Sequence, residues 1–171
     1  MGPLLRVSLS VAACLAIAGC AARDPLNDRV AAESPIGLQM WLSRNSERLP
    51  PDQASDLREA LQELRFKIMA EGRVSGSAPV EEALCGEIDG KAVREVLFEG
   101  FERQLQRLTY ERNALAVSNR ENARLRVRPG DTASADYLER ERGRVSGRLD
   151  EASEAVARAK RILARYSGQY D

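Results

Sequence analysis

The most regular pattern of hydrophobic and polar positions lies in residues 91–126, where proline is absent and glycine occurs once. One face of this stretch recurs at alternating steps of three and four residues, the spacing of a coiled-coil face. The face begins apolar and becomes polar, and we call it the first seam: Phe98, Phe101, Leu105, Leu108, Arg112, Leu115, Asn119 and Asn122. The spacing predicts one long helix over residues 91–126.

A second stretch, residues 135–166, repeats the same steps over four heptads and predicts a second long helix. Its face is the second seam: Leu138, Arg142, Val145, Leu149, Ala152, Val156, Ala159, Leu163 and Tyr166. Between the stretches, Arg128-Pro129-Gly130-Asp131 has the composition of a turn, because proline fixes one φ angle and glycine allows the next to be positive. Two helices of similar length around a short turn predict an antiparallel hairpin that reaches ~50 Å.

Shorter helices are predicted at residues 36–49, 52–71 and 79–87. The second is the clearest, with Asp52 as a suitable N-cap and an apolar stripe of Leu57, Leu61, Leu64 and Ile68. No run alternates with a period of two, and no repeat of 20–50 residues is visible. The expected fold is therefore all-α: a long, coiled-coil-like hairpin with two or three shorter helices packed at its base, in one domain over residues 36–171.

The N-terminus carries an apolar run at residues 7–18, interrupted by two serines. Twelve helical residues span ~18 Å, which is too short for a hydrocarbon core of ~30 Å. The length and the preceding Arg6 are typical of the apolar part of a signal peptide.

The apolar run ends in Ile17-Ala18-Gly19-Cys20, an aliphatic residue, two small residues and a cysteine. This motif resembles the lipobox of bacterial lipoproteins, and the resemblance covers the N-terminal segment alone. It implies a signal peptide at residues 1–19, cleavage between Gly19 and Cys20, and acylation of the Cys20 thiol and of the new amine. Ala21 follows where aspartate tends to retain lipoproteins at the inner membrane, so the resemblance implies the periplasmic side of the outer membrane.

Other interpretations of the N-terminus remain open. A lipobox ending at Cys14 leaves only residues 7–10 as the apolar part, fewer than such a segment needs. A plain secretory signal cut near Ala18 or Ala22, or an apolar helix retained in the fold, fits the same residues, as does a surface-exposed or Gram-positive setting. In the lipobox interpretation, residues 20–35 have little apolar pattern and are expected to be a lipidated tether.

One residue type and several motifs that are common in catalytic and metal sites are missing from the sequence. There is no histidine, which excludes Ser-His-Asp catalysis, Cys-His catalysis and zinc sites that contain histidine. No phosphate-binding glycine loop, GxSxG, HExxH or CxxC motif occurs. Cys85 is expected to be a small buried residue, with an intermolecular disulfide or a reactive thiol as alternatives. We expect no catalytic residue, no metal ligand and no cofactor.

Charge is balanced overall, at 26 basic and 26 acidic residues, which gives no reason to expect nucleic acid as a partner. It is uneven along the hairpin, because residues 118–148 hold eight arginines against five acids, while residues 81–102 carry a net charge of −5. The simpler interpretation is a solvated helix surface with ion pairs one turn apart. The alternative is a tip that binds an anionic partner, through Arg124, Arg126, Arg128, Arg140, Arg142 and Arg144.

The function expected from these features is that of a lipid-anchored helical interaction or structural protein without catalysis. It would bind membrane lipid through acylated Cys20, and an unknown protein partner or a second copy of itself through the hairpin. A chaperone-like accessory in envelope assembly or stress, using an exposed apolar patch at the base, is the alternative. The third and least expected class is an enzyme. Catalysis needs a concave pocket, and helical hairpins rarely supply one.

Overall fold

A computed structural model describes residues 24–72, 74 and 76–167. These residues form five α-helices and one 3-10 turn, Pro25–Asn27. The only strand-like feature among them is a single bridge between Arg29 and Ala92. The all-α prediction is confirmed. The helices are α1 (Pro35–Asn45), α2 (Pro51–Ala70), α3 (Ser77–Ile88), α4 (Val93–Arg124) and α5 (Thr132–Ser167).

The helix ends differ from the predicted ones by a few residues, for identifiable reasons. The first predicted helix ends early, at Asn45, and gives way to a turn before Pro50. Helix α2 begins at Pro51, so Asp52 lies in its first turn and is not the N-cap. The Asp131 carboxylate accepts a hydrogen bond from the Ser134 N–H at 3.1 Å, which caps the start of α5.

The core lies where α2 crosses α4 and the end of α5. The predicted stripe of α2 is buried, and α4 buries Val96, Leu97 and Phe101 against it. At the crossing, a Cβ atom built on Gly100 would lie 2.5 Å from the Cα and Cβ atoms of Ala60. The two helix backbones therefore approach more closely here than any side chain at position 100 would allow.

The chain before α1 is packed against the helices from Asp24 onward, so the predicted tether over residues 20–35 is wrong for this part. Leu26, Val30 and Ala32 are buried. The Val30 N–H donates to the Lys91 carbonyl at 2.8 Å, and the Gly90 N–H donates to the Val30 carbonyl at 2.9 Å. The buried residues follow neither a helical nor a strand period, and the sequence therefore gave no sign of them. Residues 20–23 lie outside the described residues.

Helices α4 and α5 pack along their length through the predicted seams, whose members are all buried or half-buried. Phe101 stacks on Tyr166 with ring centroids 6.3 Å apart. Glu111 lies 3.9 Å from Arg148, and Arg142 donates to the Asn122 carbonyl at 3.0 Å. In these three contacts, higher residue numbers on α4 pair with lower residue numbers on α5. This is the order of an antiparallel hairpin.

Only the outer part of the hairpin is free of the base. The last ion pairs from α2 reach Arg107 of α4 and Arg158 of α5. Beyond these pairs, α4 and α5 make interhelical hydrogen bonds and ion pairs only with each other among the described residues. We call residues 108–124 and 132–157 the arm. Its α4 half measures ~25 Å at 1.5 Å per residue, about half of the reach expected from the sequence.

Candidate interaction arm and anchor point

The predicted lipidation site, Cys20, and the cleavage position at Gly19 lie outside the described residues. The description begins at Asp24, whose carboxylate accepts hydrogen bonds from Arg94 Nη2 at 2.9 Å and from the Leu26 N–H at 3.0 Å. Arg94 lies in the first turn of α4. The chain therefore leads toward Cys20 from the N-terminal end of α4, the end farthest from the turn that joins α4 to α5.

Two of the six predicted tip arginines hold the end of α4 together. Arg142 donates from Nε to the Asn122 carbonyl at 3.0 Å and from Nη2 to the Leu125 carbonyl at 2.9 Å. Arg126 donates to the carbonyls of Ala123 and Leu125 at 2.9 and 3.1 Å. The last carbonyls of a helix lack partners within the helix and carry partial negative charge, so both guanidinium groups stabilise the turn.

A third predicted tip residue, Arg144, is occupied by an ion pair within α5. Its guanidinium donates two hydrogen bonds to Glu141, one of them at 2.9 Å. Hydrogen bonding and the positive charge of Arg144 lower the pKa of Glu141, and the same pair raises the pKa of Arg144. Both groups face solvent, so this pair is screened and adds little to stability.

The remaining three arginines, Arg124, Arg128 and Arg140, are exposed, and their side chains have no hydrogen bond or ion pair with another described residue. They lie at the end of the arm together with two exposed apolar side chains, Leu125 and Tyr137; Tyr137 is 64% exposed. We call these five residues the tip surface. The three arginines were predicted from the sequence, whereas Leu125 and Tyr137 were not, because neither falls on a seam.

A second exposed apolar feature lies on the arm's α4 half. Tyr110 is 79% exposed, and Val117, seven residues later, is also exposed. Residues seven apart lie on the same side of a helix after two turns. Neither is a seam residue, so this side is turned away from α5.

The arm is held to the base by acidic side chains of α2, of which only Asp52 was singled out from the sequence, as an N-cap. Arg165 of α5 lies 3.2 Å from both Asp52 and Asp56. Arg158 of α5 lies 3.2 Å from Glu59, and Arg107 of α4 makes two hydrogen bonds to the buried Glu63. The acids are spaced by four, three and four residues, which places them on one side of α2, a spacing that could have signalled a buried polar face.

The end of α5 is fixed most firmly by Tyr166, which is completely buried. Its hydroxyl donates to Asp56 Oδ2 at 2.7 Å, and its ring stacks on Phe101. Burial raises the pKa of the Tyr166 phenol well above its usual value, and the hydrogen bond to Asp56 adds to the rise. The arm therefore extends from a base in which its two helices are tied to α2 and to each other.

The base also has open grooves. One, of about 580 Å³, lies between α1 and α2 and is lined mainly by apolar side chains such as Leu42, Leu49 and Leu57. Another, of about 440 Å³, is lined by Met69, Val74 and Val80. Cys85 lies in the core, as the sequence predicted, and burial raises its pKa.

The described residues contain no group of three or more histidine, cysteine, aspartate or glutamate side chains that could hold a metal ion. None of the helices in the described part of the chain is both long and apolar enough to cross a membrane. No family model matches the chain, and neither a curated protein nor a solved structure matches it.

Proposed function

We propose that this protein is a lipid-anchored, non-catalytic interaction module on the periplasmic side of the outer membrane, and that its tip surface binds a protein partner. One observation carries the proposal: Asp24, four residues after Cys20, is fixed beside Arg94 at the end of α4 opposite to the tip surface. An anchor and a binding surface at opposite ends of one long helix make a spacer.

The dimensions fit such a spacer. Four residues of extended chain span at most ~14 Å, so an acylated Cys20 would keep the base within that distance of the lipid. Helix α4 has 32 residues and is ~48 Å long. The tip surface would then face away from the membrane, into the periplasm.

The composition of the tip surface favours a protein partner with an acidic face. Tyrosine and arginine are enriched at protein–protein interfaces, where a ring supplies apolar area and a guanidinium supplies several donors. Arg124, Arg128 and Arg140 have no described partner that would have to be displaced on binding. Opposite charge on the partner would speed and orient the encounter.

The proposal assigns no catalytic residue. The two buried carboxylates join helices, because Asp56 accepts a hydrogen bond from Tyr166 and Glu63 accepts one from Arg107. A second candidate, a chaperone-like role in envelope assembly, is favoured by the apolar groove of about 580 Å³ between α1 and α2. Protection of an unfolded outer-membrane protein from aggregation, lost in Leu42→Glu, would favour that candidate.

Anchoring is tested by metabolic labelling with radioactive palmitate and by membrane fractionation of three forms. We expect label in the wild type and in Cys14→Ser, which keeps Cys20, and no label in Cys20→Ser. Equal labelling of all three forms, or none in any, would contradict lipidation at Cys20. Recovery of the labelled protein in the inner membrane would contradict the proposed address alone.

Partner binding is tested in cells with a photo-crosslinking amino acid at Tyr137 of the tip surface. The matched control is the same amino acid at Glu102, which is exposed on the base part of α4. We expect a discrete crosslinked protein from Tyr137 that is weakened by Arg140→Glu and is absent from Glu102. Identical products from both positions would contradict a partner site at the tip.

A further inference from the structure

Helix α1 has an uncharged face that nothing in the described part of the chain covers. Ile36 is 71% exposed and Met40, one turn later, is 48% exposed. The opposite face packs into the core through Leu38, which is buried, with Trp41 and Leu42 beside it. Residues 34–43 contain no charged side chain, in a chain of which 30% of the residues are charged. The exposed face of α1 therefore carries no charge that would have to leave water on contact with an apolar phase.

Both ends of α1 are held to the packed segment that begins at Asp24. At the start, the Ser34 side chain accepts from the Gly37 N–H at 3.1 Å, and Ala32, two residues earlier, donates its N–H to Asp89 at 2.7 Å. Just beyond the end of α1, Arg48 pairs with Asp28 at 3.3 Å. The chain that flanks α1 is therefore tied to Asp89 on one side and to the segment that leads toward Cys20 on the other.

We infer that this face of α1 rests on the lipid surface that holds Cys20, with the Ile36 and Met40 side chains inserted among the acyl chains. The inference rests on the proposed lipid anchor, which brings the bilayer within ~14 Å of Asp24. An exposed apolar helix face can lie in the membrane interface, buried at the boundary between headgroups and acyl chains. Arg44, which is exposed at the last turn of α1, would then contact anionic headgroups.

A second contact beside the lipid chain would also orient the molecule. Acyl chains alone hold a protein near the membrane but leave it free to tilt about a flexible link. Insertion of α1 adds a second point of attachment, and the direction of α4 relative to the bilayer is then restricted. The tip surface would be presented at a defined height.

The test places an environment-sensitive fluorophore at Ile36→Cys or Met40→Cys in the acylated full chain, in a Cys85→Ala background. The matched control is Val117→Cys, which is exposed on the arm. The protein is reconstituted in vesicles of phosphatidylethanolamine and phosphatidylglycerol at 3:1. We expect blue-shifted emission and quenching by brominated acyl chains at positions 36 and 40, and neither effect at position 117.

Each other result is decisive. Water-like emission at positions 36 and 40 in acylated, vesicle-bound protein would overturn the inference and leave the lipid anchor standing. A blue shift that brominated lipid does not quench would mean that a second copy or another protein covers the face, which also overturns it. A mature chain without acyl groups by mass spectrometry would remove both the anchor and the inference.

A second variant avoids the substitution at Cys85. In Ile36→Gln/Met40→Gln both changed positions are exposed, so the helix content measured by circular dichroism should equal that of the wild type. Palmitate labelling should also be unchanged, while spontaneous transfer between vesicles should be about tenfold faster or more, because loss of 1.4 kcal/mol is a factor of ten. Unchanged transfer would contradict membrane contact by α1.

Discussion

At the residue scale, Gly100 is a position where the fold leaves no room for a side chain. Gly100→Ala would raise intrinsic helix propensity by about 1 kcal/mol. The new methyl group, however, would lie 2.5 Å from Ala60, and overpacking of this kind costs roughly 1–3 kcal/mol. We expect a net loss of unfolding free energy, measured by urea denaturation. A variant as stable as the wild type would show that α2 and α4 do not cross at this position.

Gly143 and Gly147 of α5 are the matched controls for that variant. A Cβ atom built on either glycine meets no other atom within 4 Å. Replacement by alanine should therefore act through helix propensity alone and raise the unfolding free energy by about 1 kcal/mol each. Destabilisation by either change in the same denaturation assay would mean that these glycines contact another surface.

Tyr166 makes stability depend on pH in the alkaline range. Its pKa is raised above the usual value of 10 in the folded protein, so the folded state favours the protonated phenol. The stabilisation is complete below pH ~10 and is lost as the pH rises above it, because the unfolded chain then releases the proton more readily. Between pH 9 and 11, urea denaturation should show a steeper fall in stability for the wild type than for Tyr166→Phe. Parallel curves would contradict the burial of this hydroxyl.

At the element scale, Arg142 and Arg140 separate a structural role from a binding role. Arg142 caps the carbonyls at the end of α4, and a hydrogen bond to a charged group contributes about 1.5–3 kcal/mol. Arg142→Ala should speed amide hydrogen exchange in residues 118–126. Arg140 is exposed on α5, the helix that also carries Arg142. Arg140→Ala should leave amide exchange unchanged and weaken the crosslink from Tyr137. Faster exchange in Arg140→Ala, with exchange unchanged in Arg142→Ala, would contradict the roles assigned to these two arginines.

The long helices could be predicted from sequence because their burial is periodic. Seam residues recur every three or four positions and face the partner helix, and burial follows that spacing from Leu105 to Leu163. The packed segment before α1 could not be predicted, since Val30 and Ala32 are buried by irregular chain that follows no period. The three glycines of the two long helices, Gly100, Gly143 and Gly147, look alike in sequence, and only the crossing of α2 shows which one is needed.

The candidate site was predictable in part for a related reason. Sequence shows where arginines cluster, but it does not show which carbonyl or carboxylate each one meets. Arg126, Arg142 and Arg144 have partners in the fold, whereas Arg124, Arg128 and Arg140 have none among the described residues. Tyr137 was missed because an exposed tyrosine interrupts no hydrophobic pattern.

At the scale of the whole molecule, the proposed function makes the arm a spacer whose length can be changed by whole heptads. Deleting residues 112–118 of α4 and 146–152 of α5 removes one heptad from each seam, keeps the remaining seam positions in register, and shortens the arm by ~10 Å. We expect helical content and palmitate labelling to persist while the Tyr137 crosslink is lost. A crosslink of undiminished yield would mean that the partner does not sense the height of the tip.

In the proposed arrangement the lipid and the tip surface lie at opposite ends of the molecule, and energy transfer to the membrane measures this directly. A donor on Tyr137→Cys and, separately, on Glu102→Cys of the acylated protein is paired with acceptors on lipid headgroups of the same vesicles, with Cys85→Ala in both. We expect weak transfer from position 137, which lies in α5 at the tip surface, opposite to the base end of the ~48 Å helix α4, and stronger transfer from position 102. Equal transfer from the two positions, or stronger transfer from the tip, would contradict this arrangement.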